Sequence, residues 1–113
     1  MKKIKDPNIF LYHILESIVE IKKNTNNLTK SKFIKSVPIQ DAVIRRLEII
    51  GEATKNLPSL LKNKNADIPW KKIAGLRDVL IHGYFSIDLD LVWKIIKNDL
   101  PKLKKQIEKI LGK

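Results

Sequence analysis

The stretch DLDLVWKIIKNDLPKLKKQIEKIL, residues 88–111, decides the fold class. Leu89, Val92, Trp93, Ile96, Leu100, Leu103, Ile107 and Leu111 recur by threes and fours, the spacing of one helical face. Asp88 precedes them as an N-cap, because its carboxylate can accept the first free backbone N–H groups. The stripe stays in phase across Pro101, which predicts one kinked helix rather than two. A helix with one apolar face has to bury that face against other elements.

Working backwards, Ile68-Pro69-Trp70 opens another helix with proline in its first turn. Trp70, Ile73, Ala74, Leu80 and Ile81 line one face, and Gly83 loosens or ends it. Before it, KNKNAD (62–67) is a polar loop and Ser59–Lys62 a short helical turn. Ser36-Val37-Pro38 starts a helix over residues 37–56, with Val43, Leu47, Ile50, Thr54 and Leu57 on one side. Pro58 stops it by biasing Leu57 away from helical angles. Gly51, inside that helix, costs stability relative to alanine and points to close helix packing, near Arg77. Asp6-Pro7 starts the first helix, Pro7 to Lys23, on the stripe Leu11, Ile14, Leu15, Ile18, Ile21. The asparagine-rich KKNTNNLTKSK (22–32) reads as a loop, with a short turn around Phe33-Ile34. No strand-like alternation and no repeat appears. The prediction is an all-α, antiparallel four-helix bundle with short extra helical turns, one domain over residues 1–113.

Composition narrows the chemistry. The chain has 113 residues, too few for a second core. It has no cysteine, which excludes disulfides, thiol nucleophiles, iron–sulfur clusters and cysteine zinc sites. Two histidines, His13 and His82, argue against a multi-histidine metal site. No stretch approaches a membrane span and no apolar core follows the basic start, so the expected location is cytoplasmic. Lys and Arg total 23 against 12 acids, a formal charge of +11 spread along the whole chain. Such a charge attracts polyanions, RNA among them. Lysines that only solvate helix faces would give the same excess, and the preference for Lys over Arg favours that blander reading. Only three residues are arginine, so Arg45, Arg46 and Arg77 mark places where lysine does not serve.

One of them breaks the pattern. On a continuous helix from Trp70 to Tyr84, Arg77 falls in the middle of the apolar stripe, four residues after Ile73 and three before Leu80. A buried guanidinium needs a partner or a cavity. Asp78, His82 and Tyr84 lie beside it in sequence. Asp78 and His82 are four apart and can hydrogen-bond. Arg77 and His82 are five apart, about 140° around the axis, so one ideal helix does not converge them. Either the helix distorts near Gly83 or two copies meet across a dimer axis. The bland alternatives stand beside this. Arg77 can be a structural partner of Glu48 or Glu52, His82 a C-terminal helix residue, and Tyr84 a core aromatic. Glu48 and Glu52 can form a carboxylate pair, but pairing with Arg45, Arg46 or Lys55 along the helix is the simpler expectation. His13 sits next to the first stripe and reads as core or surface.

The segment Gly75-Leu-Arg-Asp-Val-Leu-Ile-His-Gly-Tyr84 resembles the signature of the HepT-like toxins of the HEPN superfamily: Arg, four residues, His, one residue, Tyr. Arg77, His82 and Tyr84 fill those positions. The block Ala42-Val-Ile-Arg-Arg-Leu-Glu-Ile-Ile-Gly-Glu-Ala53, then Ile68-Pro-Trp70 and DLDLVW (88–93), extend the resemblance over most of residues 8–111.

The resemblance implies a helical bundle that forms a homodimer. It implies a cleft at the dimer interface where Arg77 and His82 support metal-independent RNA cleavage. Asp78 stands where relatives often have Asn; either can hydrogen-bond the histidine, and Asp also favours its protonated form. The implied partner is an MntA-like nucleotidyltransferase antitoxin, in a type VII toxin–antitoxin pair, which transfers AMP from ATP onto Tyr84. ATP and Mg²⁺ would then belong to the partner, and this chain would need no cofactor or metal. The alternative is a non-catalytic nucleotide- or substrate-binding subunit of a nucleotidyltransferase.

Overall fold

The computed structural model describes residues 6–80 and 86–113. The first helix, α1, spans Pro7–Thr25, two residues beyond the expected end. Asp6 caps it, its side chain accepting the Asn8 N–H at 2.9 Å, and Pro7 sits in the first turn. Thr25 continues the helix instead of leaving it, because it is buried and its hydroxyl donates back to the Ile21 carbonyl at 2.8 Å.

The second helix, α2, is Lys30–Lys35, so the loop expected over residues 22–32 shrinks to a few residues between α1 and α2. Thr29 caps α2 through its hydroxyl oxygen, which accepts the Lys32 N–H at 3.1 Å, and Phe33 is its fully buried anchor. Phe33 lies against Trp93 at 5.3 Å between ring centroids, and Lys30 pairs with Asp90 at 2.8 Å. Helix α3 spans Val37–Lys55, with Ser36 as its cap and Pro38 in the first turn. The Gln40 side-chain amide donates to the carbonyls of Phe33 and Ile34 at 3.0 and 2.8 Å, which closes the exposed end of α2.

Helix α4 is Ser59–Lys64, then α5 is Trp70–Ala74 and α6 is Leu76–Leu80. The final limb starts at Asp88, whose carboxylate accepts the Leu91 N–H at 3.1 Å. It runs as α7, Leu89–Lys94, through a π turn at Ile95–Asp99, into α8, Leu100–Ile110. One uninterrupted helical limb across Pro101 is therefore what forms. The widened turn, with the Leu100 N–H on the Ile95 carbonyl, absorbs the missing proline donor. The extra residue per turn explains why Ile95 is buried together with Ile96, where the regular stripe predicted only Ile96.

The described residues form an all-α bundle. Limbs α1, α3, α5–α6 and α7–α8 close on one core, with Leu11, Ile14, Val43, Ile50, Val92 and Ile107 fully buried in it. Two pairings run antiparallel. Lys113, past the end of α8, lies over Tyr12 near the start of α1, while Ile96 and Leu100 flank the same groove as Ile21 and Thr25 near its end. Along α3, Ala74 meets Gly51 and Arg77 meets Glu48, so α5–α6 runs opposite to α3.

The expected single helix from Trp70 towards Gly83 does not form. Gly75 leaves helical angles at φ −94°, ψ 11°, its N–H closing α5 on the Lys71 carbonyl at 3.1 Å, and α6 restarts at Leu76. At this break the chain crosses α3 backbone to backbone. A Cβ on Gly51 would stand 3.3 Å from the Ala74 carbonyl oxygen and 3.5 Å from that of Ile73. Gly51→Val therefore forces the two segments apart. It should lower stability by about 1–3 kcal/mol despite a better helix former at that position. Thermal denaturation checks this; a melting temperature equal to wild type would show that the crossing has slack.

Candidate functional site

The break at Gly75 changes the phase of everything after it. Leu76 and Leu80, one turn apart on α6, take the inward positions at 6% and 1% exposure. Arg77 then points outward, with its side chain 61% exposed. The burial expected for Arg77 in the apolar stripe is thus corrected. The stripe restarts one residue earlier than a continuous helix would place it.

Outward does not mean unpartnered. The Arg77 Nε–H donates to Oε2 of Glu48 at 2.7 Å, across the α6–α3 contact. Ile44, Leu47 and Leu80 form the apolar floor beneath the pair. Glu48 is 30% exposed, so the pair sits at the rim of the core. Its net contribution to stability is about 1 kcal/mol or less, because water screens it. Its geometric effect is larger. A guanidinium has five N–H donors, and the bond to Glu48 uses one of them while restricting the side chain's rotamers. The terminal amino groups remain donors for an anion with two oxygens at the right spacing.

The other acids sort themselves around this pair. Glu52 pairs with Lys55 at 3.4 Å, as expected along the helix. Glu48 does not take Arg45, Arg46 or Lys55; Arg46 reaches Glu16 on α1 at 3.6 Å instead. The two carboxylates therefore serve different cations rather than acting as a pair. Asp78, next to Arg77 on α6, is exposed. His13 is exposed on α1, edge-on to Phe10. His82 and Tyr84 lie outside the described residues. No helix among the described residues is long and apolar enough to cross a membrane.

Comparison with known proteins bears on this site. A family model described as "Ribonuclease HepT-like" matches residues 14–110. The chain belongs to the HepT-like family. The match includes both halves of the Arg77–Glu48 contact. A Methanocaldococcus jannaschii relative, named as a gamma-glutamylcyclotransferase and candidate RNase, is 53% identical over 107 residues. That alignment takes in 95% of this HepT-like chain but 48% of the relative, so the chain spans about half that protein's length. A second protein of the same organism, named as a candidate RNase, is 46% identical over 92% of this chain and 95% of its own length. A Thermococcus cleftensis protein named as a probable ribonuclease HepT is 44% identical over 89% of this chain and 92% of its own. No solved structure matches.

The phase change has a direct check. Leu76→Ala should cost about 2–5 kcal/mol, the usual loss for a buried leucine. Arg77→Ala should stay within about 1 kcal/mol. Denaturant unfolding of both variants measures the contrast; equal losses would mean that Arg77 carries core packing after all.

Proposed function

We propose that this HepT-like chain is a metal-independent endoribonuclease, the toxin of a type VII toxin–antitoxin pair, acting as a homodimer. The observation that carries the reading is the exposed Arg77, fixed through Nε by Glu48 at 2.7 Å with its terminal donors available to an anion. The family match and the names of the relatives support RNA as that anion. RNA brings its own nucleophile, the 2′-hydroxyl. The protein has to remove that proton, supply one to the leaving 5′-oxygen, and stabilise the charge that builds on the phosphorane. His82 is the proton shuttle, since imidazole titrates near neutrality, and Asp78 is its hydrogen-bonding neighbour. Arg77 is the charge clamp. In a dimer cleft the two His82 side chains act as base and acid, and the product carries a 2′,3′-cyclic phosphate.

Incubation with single-stranded RNA should give cyclic-phosphate ends in the presence of a chelator. Arg77→Ala should lower kcat by about 10²–10³-fold and His82→Ala by about 10²–10⁴-fold. Full cleavage by the double variant would exclude the mechanism. RNA that is bound but never cut would turn the reading to a non-catalytic binding subunit.

Control by a nucleotidyltransferase antitoxin of the MntA type completes the proposal. The Tyr84 phenol oxygen attacks the α-phosphorus of ATP, and pyrophosphate leaves. The AMP adds bulk and negative charge two residues from His82, which repels RNA phosphates. ATP and Mg²⁺ are the partner's reagents in this scheme. Mass spectrometry after incubation with partner, ATP and Mg²⁺ should show addition of one or more AMP units, lost in Tyr84→Phe. An unchanged adduct on Tyr84→Phe would place the acceptor elsewhere.

A further inference from the structure

Beyond the Arg77–Glu48 rim, α3 and α5 enclose a second surface feature. Lys55 at the end of α3, Lys62 on α4, and Lys71 and Lys72 on α5 surround an open concavity of about 910 Å³ that also includes Trp70 and Ala74. No Asp or Glu lines it. Of the acids near it in sequence, Asp67 follows Ala66 and is exposed, and Glu52 is tied to Lys55 at 3.4 Å with both side chains more than half exposed, a pair that a phosphate can displace.

The concavity is built, not incidental. The Trp70 indole N–H donates to the carbonyls of Lys62 and Asn65 at 3.2 and 3.0 Å, joining the end of α4 to the start of α5. Trp70 is 7% exposed, so this joint is locked into the core and the lysine-bearing segments are held at fixed separation. The other large groove, between α1 and α8, also carries lysines but has Glu108 in its wall.

Its position relative to Arg77 follows from the α3 register. Glu48, Gly51 and Lys55 lie at i, i+3 and i+7, on one helical face. The α5–α6 limb crosses that face at Gly51. One turn towards the start of α3, Glu48 holds Arg77. One turn towards its end, Lys55 borders the concavity. Glu48 and Lys55 are about 10 Å apart along the axis. Arg77 and the lysine-bordered concavity therefore lie on either side of the Gly51 crossing, along one face of α3.

We propose that Lys55, Lys62, Lys71 and Lys72 form a subsite for the backbone of single-stranded RNA flanking the phosphate held by Arg77. The proposal extends the ribonuclease reading by assigning where the rest of the substrate lies. Lysine suits this role, since a compact ammonium on a flexible stem follows a phosphate chain without reading bases.

Binding of a fluorescent single-stranded RNA to full-length protein, all in the His82→Ala background so that RNA is not consumed, tests it. The variant Lys55→Gln, Lys62→Gln, Lys71→Gln, Lys72→Gln is compared with Lys22→Gln, Lys97→Gln, Lys104→Gln, Lys105→Gln from the α1–α8 groove. Both lose the same charge. The first should weaken binding at least tenfold more than the second and flatten the salt dependence by about 3 logarithmic units per unit, four contacts at about 0.7 each. Because Lys62 is half-buried, a triple variant keeping it checks the result on a folded protein, with a slope change of about 2. Equal weakening by the two sets would reduce the effect to net charge and overturn the subsite. So would unchanged RNA affinity with lost capture of the nucleotidyltransferase, which would make the surface a protein-docking face. The ribonuclease reading fails separately, through absence of cleavage by wild-type protein, and that result leaves the binding comparison intact.

Discussion

The approach of the Gly51 backbone to the Ala74 carbonyl is the constraint on which the candidate site depends. With no side chain between them, α3 and α5 meet at backbone distance. Any Cβ at that point would have to push the α5 carbonyls back. The crossing brings α6 close enough for Leu76 and Leu80 to reach the core, and it places Glu48 under Arg77. A shift of α6 by one residue around its axis would bury the guanidinium and expose a leucine. Both changes are unfavourable by several kcal/mol, so the register is strongly specified.

That register makes sense of an exposed ion pair that contributes little to stability. Fully buried, Arg77 would need a full set of partners and would offer nothing to a ligand. Fully free, it would spend its time among many rotamers, and binding an anion would have to offset that lost freedom. A single bond to Nε from an acid at the rim of the core takes the middle course. It reduces the rotamers while leaving the terminal donors in water. The acid comes from a different helix, α3, while Asp78, beside Arg77 on α6, is exposed.

Most of the fold was legible because it rests on local signals. Asp6, Ser36 and Asp88 each cap the helix that the apolar spacing predicts, and Pro7 and Pro38 stand in first turns where no N–H is needed, whereas Pro69, expected in a first turn, sits just before α5. The stripes of α1 and α3 are buried as read. What was not legible came from tertiary contacts. The bulk of Trp70 and Ile73 looks continuous with Leu80 and Ile81 on a helical wheel. Nothing in that pattern says that α5 ends at Gly75, or that its last carbonyls, of Ile73 and Ala74, lie against Gly51. Leu76 was therefore not expected in the core and Arg77 was. At Pro101 the reverse happened: the apolar phase correctly predicted continuity, but the π turn, and with it Ile95, required knowing how the helix accommodates a missing donor. The choice of Glu48 over Glu52 likewise needed the crossing point, since both are acids one turn apart on the same helix.

The same crossing bears on how a short signature works. Arg77, Asp78, His82 and Tyr84 are nearly contiguous, which suggests a self-contained motif. Yet the orientation of Arg77 is set from outside it, by an acid on α3 and by a glycine that admits α5. The lysine-lined concavity is set by the same helix, one turn further on, and by a tryptophan that joins α4 to α5. A graft of the signature alone onto another helix would carry the chemical groups without the Glu48 partner or the neighbouring positive surface. Residues 42–55 and 68–74 are thus part of the site in a physical sense, although none of them is a candidate to touch the reacting atoms.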